Sequence, residues 1–467
     1  MDKKELLRII PKVDELLNNK KIDELKELFP RTLIVEGIRE ALDKIRERIL
    51  NTPENEILEL YINPDSIADD VANRVSKLNK RHLRRVINAA GVIIHTNLGR
   101  SILCDEALDA VLDAAGNYCN LEYDTAKGIR GSRYSHLDEI IKRITGAESS
   151  IAVNNNAAAV LLVLSTLCKD KEVIVSRGEL VEIGGSFRIP EVMEQSGTRL
   201  IEVGSTNKTH LYDYKNAINE NTGAILKVHT SNYRILGFTE EVSTKELSHL
   251  AKANNLPLIN DIGSGSFIDF SKYGMEYEPT VKDAINNGAD VVTFSGDKML
   301  GGPQAGIITG SKKYIDLMKK NPLTRALRPD KMTIAALEAT LRIYIEEDKA
   351  IENIPTLRMI TEDKEKVKLK AQRLSRMIKS ILSDRAKISI IEENSQIGGG
   401  SMPLQLLPTY ALAINSLNIS PEVLEERLRN ADIPIIARLK NDSILMDLRT
   451  VRDEELTIIK DTINKVL

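Results

Sequence analysis

Three short stretches of this sequence place reactive or hydrogen-bonding side chains directly after apolar runs. The first is Val153-Asn154-Asn155-Asn156-Ala157-Ala158-Ala159, where a strand-like run ends in polar residues and small ones open a helix. Unpaired N–H groups and the positive helix end suit such a start to an anion; an asparagine that merely caps the helix is the ordinary alternative. The second is Leu258-Ile259-Asn260-Asp261-Ile262-Gly263-Ser264-Gly265, an apolar strand that ends in a carboxylate. Asp261 could there bind a metal, cap a loop or pair with a protonated ring nitrogen. The third is Ser295-Gly296-Asp297-Lys298, followed by a glycine-rich turn to Gly306. A lysine held in a semi-enclosed crevice loses its proton more easily and attacks carbonyls, although most lysines of the chain must lie on its surface.

The three stretches gain meaning from their order. An anion-binding helix start, a strand-end acid and a later strand-end lysine are what pyridoxal 5′-phosphate requires. Its phosphate needs N–H donors, its pyridine nitrogen an acid partner and its aldehyde a lysine amine.

The segments around these residues supply a frame. Seven apolar, β-branched runs read as strands: Ile151–Val153, Glu172–Val175, Arg199–Val203, Ala224–His229, Leu256–Asp261, Asp290–Ser295 and Gly306–Thr309. Most are continuously apolar, as expected of a sheet covered by helices on both faces, so the middle of the chain is α/β. Ligands of such sheets sit at the carboxyl ends of strands, which makes the polar residues just after each run the ones to inspect. Residues 1–50 read as helices, with Leu6, Ile10, Val13 and Leu17 on one face and Ile38, Leu42, Ile45 and Ile49 on another. Beyond Pro329, helices over Lys331–Glu346 and Glu362–Leu382 precede strand-like runs at Ile388–Ile391, Ala411–Ile414, Ile433–Ile436 and Ser443–Asp447, then a helix near 453–465. The expected domains are therefore a helical module at 1–80, a cofactor-binding core at 81–330 and an α+β domain at 331–467.

Composition narrows the classes. The 467 residues carry 65 Lys plus Arg against 68 Asp plus Glu, a net charge of −3 that argues against indiscriminate nucleic-acid binding. The charge is uneven, however: Val71 to Arg100 holds seven basic residues and no acidic one, either a solvated helix face or a stripe that meets a polyanion. The apolar run Ala157–Leu167 is too short to cross a bilayer, and the amphipathic start Met1-Asp2-Lys3-Lys4 lacks a signal core, so a cytoplasmic location is expected. Cys104, Cys119 and Cys168 form no CxxC pair and no metal-ligand spacing, so neither disulfide nor metal site is expected.

The longer motifs carry a resemblance. Asn88-Ala89-Ala90-Gly91-Val92-Ile93-Ile94-His95-Thr96-Asn97-Leu98-Gly99-Arg100, the stretch Arg177 to Pro190, and Ser295 to Gly306 resemble the bacterial selenocysteine synthases, the L-seryl-tRNA(Sec) selenium transferases. The likeness spans nearly the whole chain. It implies a fold-type I pyridoxal-phosphate-dependent transferase (aspartate aminotransferase-like), with a mostly parallel seven-stranded sheet, a helical N-terminal module and an α+β C-terminal domain. It further implies Lys298 as the cofactor-bearing lysine, Asp297 as its catalytic neighbour and Asp261 as the acid on the pyridine nitrogen. Asn155, Asn156 and Ser295 fall in the phosphate neighbourhood. Arg100, Arg325 and Arg328 match the family's selenium-donor site, and guanidinium forks suit a small multivalent anion such as selenophosphate. Arg130 and Arg133 are further candidates. Arg438 and Arg449 lie where the wider fold binds a substrate carboxylate. The loop Arg177 to Ile183 has no aromatic or histidine to stack on the cofactor, leaving Glu182 or Ile183 for that place.

By resemblance, the reaction takes seryl-tRNA(Sec) and selenophosphate to selenocysteinyl-tRNA(Sec) through a dehydrated, aminoacrylyl form of the seryl group. The N-terminal module recognises tRNA, and the homo-oligomer is a decamer built from dimers, with each site between two subunits. Two other readings use the same residues: a pyridoxal-phosphate lyase acting on a small amino acid or amino sugar acid, and a non-catalytic tRNA-binding protein on an enzyme fold.

Overall fold

The computed structural model describes residues 2–59, 63–183, 187–382 and 384–467. The chain forms two compact units, Met1–Arg85 and Val86–Leu467.

The first unit is helical. Its long helices α1 (Arg31–Asn51) and α2 (Pro64–Asn79) bury Ile34, Ile38, Ala41 and Leu42 against Ala68, Val71 and Val75. Gly37 permits the close approach, since a Cβ there would stand 2.7 Å from Val75 Cγ2. The periodicity from Leu6 to Leu17 forms two short helices, Lys3–Arg8 and Val13–Leu17, rather than one. Pro11 breaks it, because proline lacks the N–H for the helical ladder and disfavours helical geometry in the residue before it.

The second unit begins with a short strand β1 (Val92–Ile94). The central sheet follows: β2 (Ser149–Val153), helix α3 (Asn156–Leu167), β3 (Glu172–Ser176), β4 (Arg199–Val203), β5 (Thr222–Val228), β6 (Leu258–Gly263), β7 (Val291–Ser295) and β8 (Gly306–Gly310). All seven expected runs are strands of this one sheet, in the order β2-β8-β7-β6-β5-β3-β4. Every residue of β2, β3, β6, β7 and β8 is buried. Neighbours along a strand serve opposite faces: Ile151 and Val153 belong to one core cluster and Ala152 to the other. Four of the six pairings are parallel, and the other two are those of β8, which runs antiparallel to both β7 and β2. The reason is length: ten residues, Gly296 to Ala305, separate β7 from β8, too few for the crossover a parallel strand needs.

The remaining elements are helices α4 (Lys331–Ile343) and α5 (Lys364–Leu382), strands β9 (Ala386–Gly398), β10 (Leu406–Ser416), β11 (Arg438–Lys440) and β12 (Ser443–Asp447), and helix α6 (Glu455–Val466). β1 joins these strands in a second sheet, β11-β12-β10-β9-β1. One face of that sheet packs Leu412, Ile414, Ile444 and Met446 on Leu374 and Ile378 of α5 and Ile459 of α6. β9 and β10 run well past the expected four-residue runs, pairing without a break from Ala386–Ser416 to Gln396–Leu406.

Candidate functional site

The carboxyl ends of β2, β5, β6 and β7 bring the three motifs together. β7 ends at Ser295 and the chain turns sharply, with Gly296 N–H donating to Ala305 C=O at 2.8 Å and Gly301 N–H to Lys298 C=O at 3.0 Å. A Cβ on Gly296 would stand 2.6 Å from Pro303 O, so this turn closes only around glycine. Met299 N–H donates to Ser264 C=O, fixing the turn to the loop after β6. Lys298 is thereby enclosed, 6% exposed. Burial lowers its pKa; Asp261 and Asp297 oppose that, and Arg100 adds to it.

Asp261 lies beside Thr293 in the β6–β7 register and is also buried. Its Oδ1 accepts from Asn156 Nδ2 and from Thr293 Oγ1, both at 2.9 Å. Burial raises its pKa against these two donors, the charge of Lys298 and the Gly263 N–H. The neighbouring strand contributes His229, whose N–H donates to Asp261 C=O at 2.8 Å and whose Nε2 lies 3.0 Å from Oε1 of the fully buried Glu278.

The asparagines divide their work. Asn155 caps α3, its side chain accepting from Ala158 N–H at 2.9 Å, while Asn156 reaches Asp261 and keeps a buried Oδ1 without a partner. Gly306 of β8 lies against them; a Cβ there would stand 2.1 Å from Asn155 O. Ser295 is buried at the end of β7.

Arg100 adopts a left-handed backbone, φ +64°, rare for a residue with a side chain. Its Nη1 stands 2.7 Å from Asp297 Oδ2, and Ser101 Oγ donates to Gly302 C=O at 2.7 Å, tying the Asn-Leu-Gly-Arg loop to the lysine turn. A cleft of about 270 Å³ opens there, lined by Thr96, Arg100, Ser101, Asp297 and Gln304.

Arg325 and Arg328 are not joined to Arg100 within this chain. Both are exposed, at and just past the short helix Leu323–Leu327, whose last carbonyl accepts from Asn154 N–H at 2.9 Å. Arg328 lies 3.6 Å from Glu122, which also holds Arg133 at 2.6 Å and Arg130 at 3.3 Å. The hydrogen bond from Arg133, then the charges of the three arginines, lower the Glu122 pKa.

Arg449 is 3% exposed and fully engaged: Nε donates to Ser395 Oγ, Nη1 to Met359 C=O and Glu362 C=O, and Nη2 to Pro408 C=O. Arg438 points to Asp447, at 3.4 Å. Glu182 is exposed and paired with Arg188 at 2.7 Å. The side chain of Ile183 and the motif residues 184–186 lie outside the described residues.

Four participants escaped the sequence reading: Thr293, His229, Glu278 and Glu122. His229 had a signal, as the polar residue directly after an apolar run. Thr293 needed the strand register, and Glu122 and Glu278 sit in irregular segments without a pattern.

The donor set fits pyridoxal 5′-phosphate. A buried amine, a buried acid held on one oxygen by two donors, and an unpartnered amide oxygen at a helix start converge at the strand ends. Among the described residues no group of three or more acids, histidines and cysteines could hold a metal ion.

Comparisons with known proteins agree. The family model described as L-seryl-tRNA selenium transferase matches residues 86–452, and that described as selenocysteine synthase N terminal matches 7–46. The chain is 53% identical over 467 residues to an L-seryl-tRNA(Sec) selenium transferase of Clostridium botulinum (strain Loch Maree / Type A3), covering all of both chains. It is 51% identical, again over the full length, to that of Alkaliphilus oremlandii. Among solved structures, a D-glucosaminate-6-phosphate ammonia-lyase shares the fold, with a TM-score of 0.57 and 23% identity over 84% of this chain and 97% of that one. With its buried lysine and acid on a matching scaffold and its full length aligned, the chain belongs to the L-seryl-tRNA(Sec) selenium transferase family.

Proposed function

We propose that this protein converts L-seryl-tRNA(Sec) to L-selenocysteinyl-tRNA(Sec) with selenophosphate as selenium donor, in the cytoplasm, as a decamer built from dimers. The observation that carries the reading is the enclosed Lys298 with Asp261 on one side and the Arg100–Asp297 pair on the other.

Pyridoxal 5′-phosphate, when bound, supplies an electrophilic aldehyde and a sink for negative charge at the seryl α-carbon. The α3 N-terminus, with Asn155, Asn156 and Ser295 beside it, would hold the phosphate. Asp261, aimed by Asn156 and Thr293, keeps a proton on the pyridine nitrogen. Lys298, inclined by burial to be neutral, takes the proton from the seryl α-carbon. The β-hydroxyl then departs as water, and Asp297 lies beside the lysine where this proton traffic occurs. Arg100, Arg325 and Arg328, brought together across subunits, would hold selenophosphate; its selenium adds to the β-carbon, Lys298 returns the proton to the α-carbon, and water takes the phosphoryl group from selenium to leave as phosphate. Residues 1–80 recognise the tRNA, residues 81–330 carry the chemistry and residues 331–467 complete the fold.

The test is an absorbance spectrum of the purified holoprotein with seryl-tRNA(Sec) and with free serine, in separate cuvettes, alongside selenium incorporation from selenophosphate. A spectral change and selenium transfer with seryl-tRNA(Sec) alone are expected. A response to free amino acids only would replace the reading with a small-molecule lyase, and absence of bound cofactor would replace it with a tRNA-binding protein. Lys298→Ala should lower turnover by at least about 100-fold.

A further inference from the structure

The cations of the first unit are not all alike. Lys21 pairs with Asp69, Lys26 with Asp23, and Arg74 with both Asp70 and Glu40. At the end of α2 the pattern changes. Lys77 to Arg85 hold five cations and a histidine in nine residues, and no acid occurs anywhere from Val71 to Arg100. Lys80 and Arg85 have partners within the protein. Lys77, Arg81 and Arg84 are exposed, and none has an acidic partner among the described residues.

Lys77 has a local reason for its place, since a cation in the last helical turn complements the helix dipole. Arg81 and Arg84 lie beyond the helix, where the chain has no regular structure, so no dipole or ladder calls for them. Nor does packing: Leu83, between them, is 94% exposed, so this segment is not anchored through its one large apolar side chain. A cluster of unneutralised like charges repels itself and is relieved by a polyanion.

We infer that Lys77, Arg81 and Arg84 form a contact for the phosphate backbone of RNA. The inference rests on the tRNA substrate proposed above and adds to it a defined, sequence-independent electrostatic site. A backbone contact predicts a particular thermodynamic signature. Each phosphate neutralised releases counterions and adds about 0.7–0.9 to the slope of log K against log salt. Because it reads no base edges, it strengthens all tRNAs alike.

The experiment uses the full-length holoprotein and the variant Lys77→Gln/Arg81→Gln/Arg84→Gln. Binding of unacylated tRNA(Sec) and of an unrelated elongator tRNA is titrated between about 50 and 200 mM salt. The triple variant should flatten the slope by about two to three for both RNAs and leave their affinity ratio unchanged. Arg81→Lys/Arg84→Lys should keep most of the slope, because a point charge suffices for phosphate. The cofactor absorbance and the sedimentation coefficient serve as controls for folding and assembly. An unaltered slope would overturn the inference, as would a loss confined to tRNA(Sec), which would mean base reading. A changed sedimentation coefficient with an unaltered slope would overturn it too, assigning the cations to an acidic face of a second copy. Failure of the parent protein to bind tRNA(Sec) at low salt would instead defeat the proposed function.

Discussion

Arg100 Nη1 stands 2.7 Å from Asp297 Oδ2, and the two act in opposite directions on the proton of Lys298, the arginine lowering its affinity and the aspartate raising it. Removing Arg100 as Arg100→Met deletes a positive charge and frees Asp297, so the Lys298 pKa should rise. Asp297→Asn should lower it. The measurement is the rate at which the apoprotein covalently captures pyridoxal phosphate, trapped with borohydride, as a function of pH. The parent midpoint is expected below the ordinary lysine value of about 10.4, with the two variants displaced to either side. Midpoints that coincide would mean that the ion pair does not tune the lysine.

Thr293→Val is the second test. It takes one of two side-chain donors from the buried Asp261 oxygen and keeps the shape of the residue. Hydrogen bonds to charged groups contribute about 1.5–3 kcal/mol, so stability in urea should fall by roughly that amount. The Asp261 carboxyl, already raised by burial, should rise further. The acidic limb of the holoprotein's pH–rate profile should then move to higher pH, since the role proposed for Asp261 on the pyridine nitrogen requires it ionised.

Gly91 faces Asp447 so closely that a Cβ would stand 2.0 Å from Oδ2, and its φ is +70°. Gly91→Ala therefore meets both a clash and a strained backbone, the latter alone about 1–3 kcal/mol. Asp447 also accepts from Ser395 Oγ, Thr409 Oγ1 and Arg449 N–H, so displacing it loosens the second sheet. A thermal midpoint lowered by several degrees is expected, and an unchanged midpoint would show that Asp447 can move aside freely.

Arg449→Lys should behave almost as badly as Arg449→Met. A lysine ammonium cannot reach Ser395 Oγ and the Met359, Glu362 and Pro408 carbonyls in four directions, and a buried polar group left unmet costs about 1–3 kcal/mol. Urea unfolding of the two variants should place them close together, both well below the parent.

The main sheet was legible in the sequence because most of its strands are buried on both faces and so read as apolar runs, with Asp261 near the end of one and Lys298 in the turn after another. The capping role of Asn155 was legible as one of two alternatives, while the bond from Asn156 to Asp261 joins residues 105 positions apart and needs the register. At Pro11 the helical spacing of Leu6 and Val13 continues across the break, so spacing alone reads through it. Arg449 looked like a ligand residue from its position; its burial among carbonyls belongs to the packing of Met359, Glu362 and Pro408, which are distant in the chain. On Glu122, Arg130 and Arg133 arrive locally, 8 and 11 residues on and across a short hairpin, while Arg328 comes only through tertiary contact.

The reversed strand β8 sets a length. It lies between β2, which leads into the asparagines, and β7, which leads into Lys298, so those two strand ends are separated by two strand widths, about 10 Å. With the phosphate at the asparagines and the aldehyde at Lys298, as proposed above, such a gauge would select molecules by reach, since the anionic group must lie at a fixed remove from the aldehyde to touch both ends at once. Pyridoxal, with the same ring and aldehyde but no phosphate arm, would engage the lysine without gripping the far post, and a change in the width of this gap would require removing a strand rather than substituting a side chain.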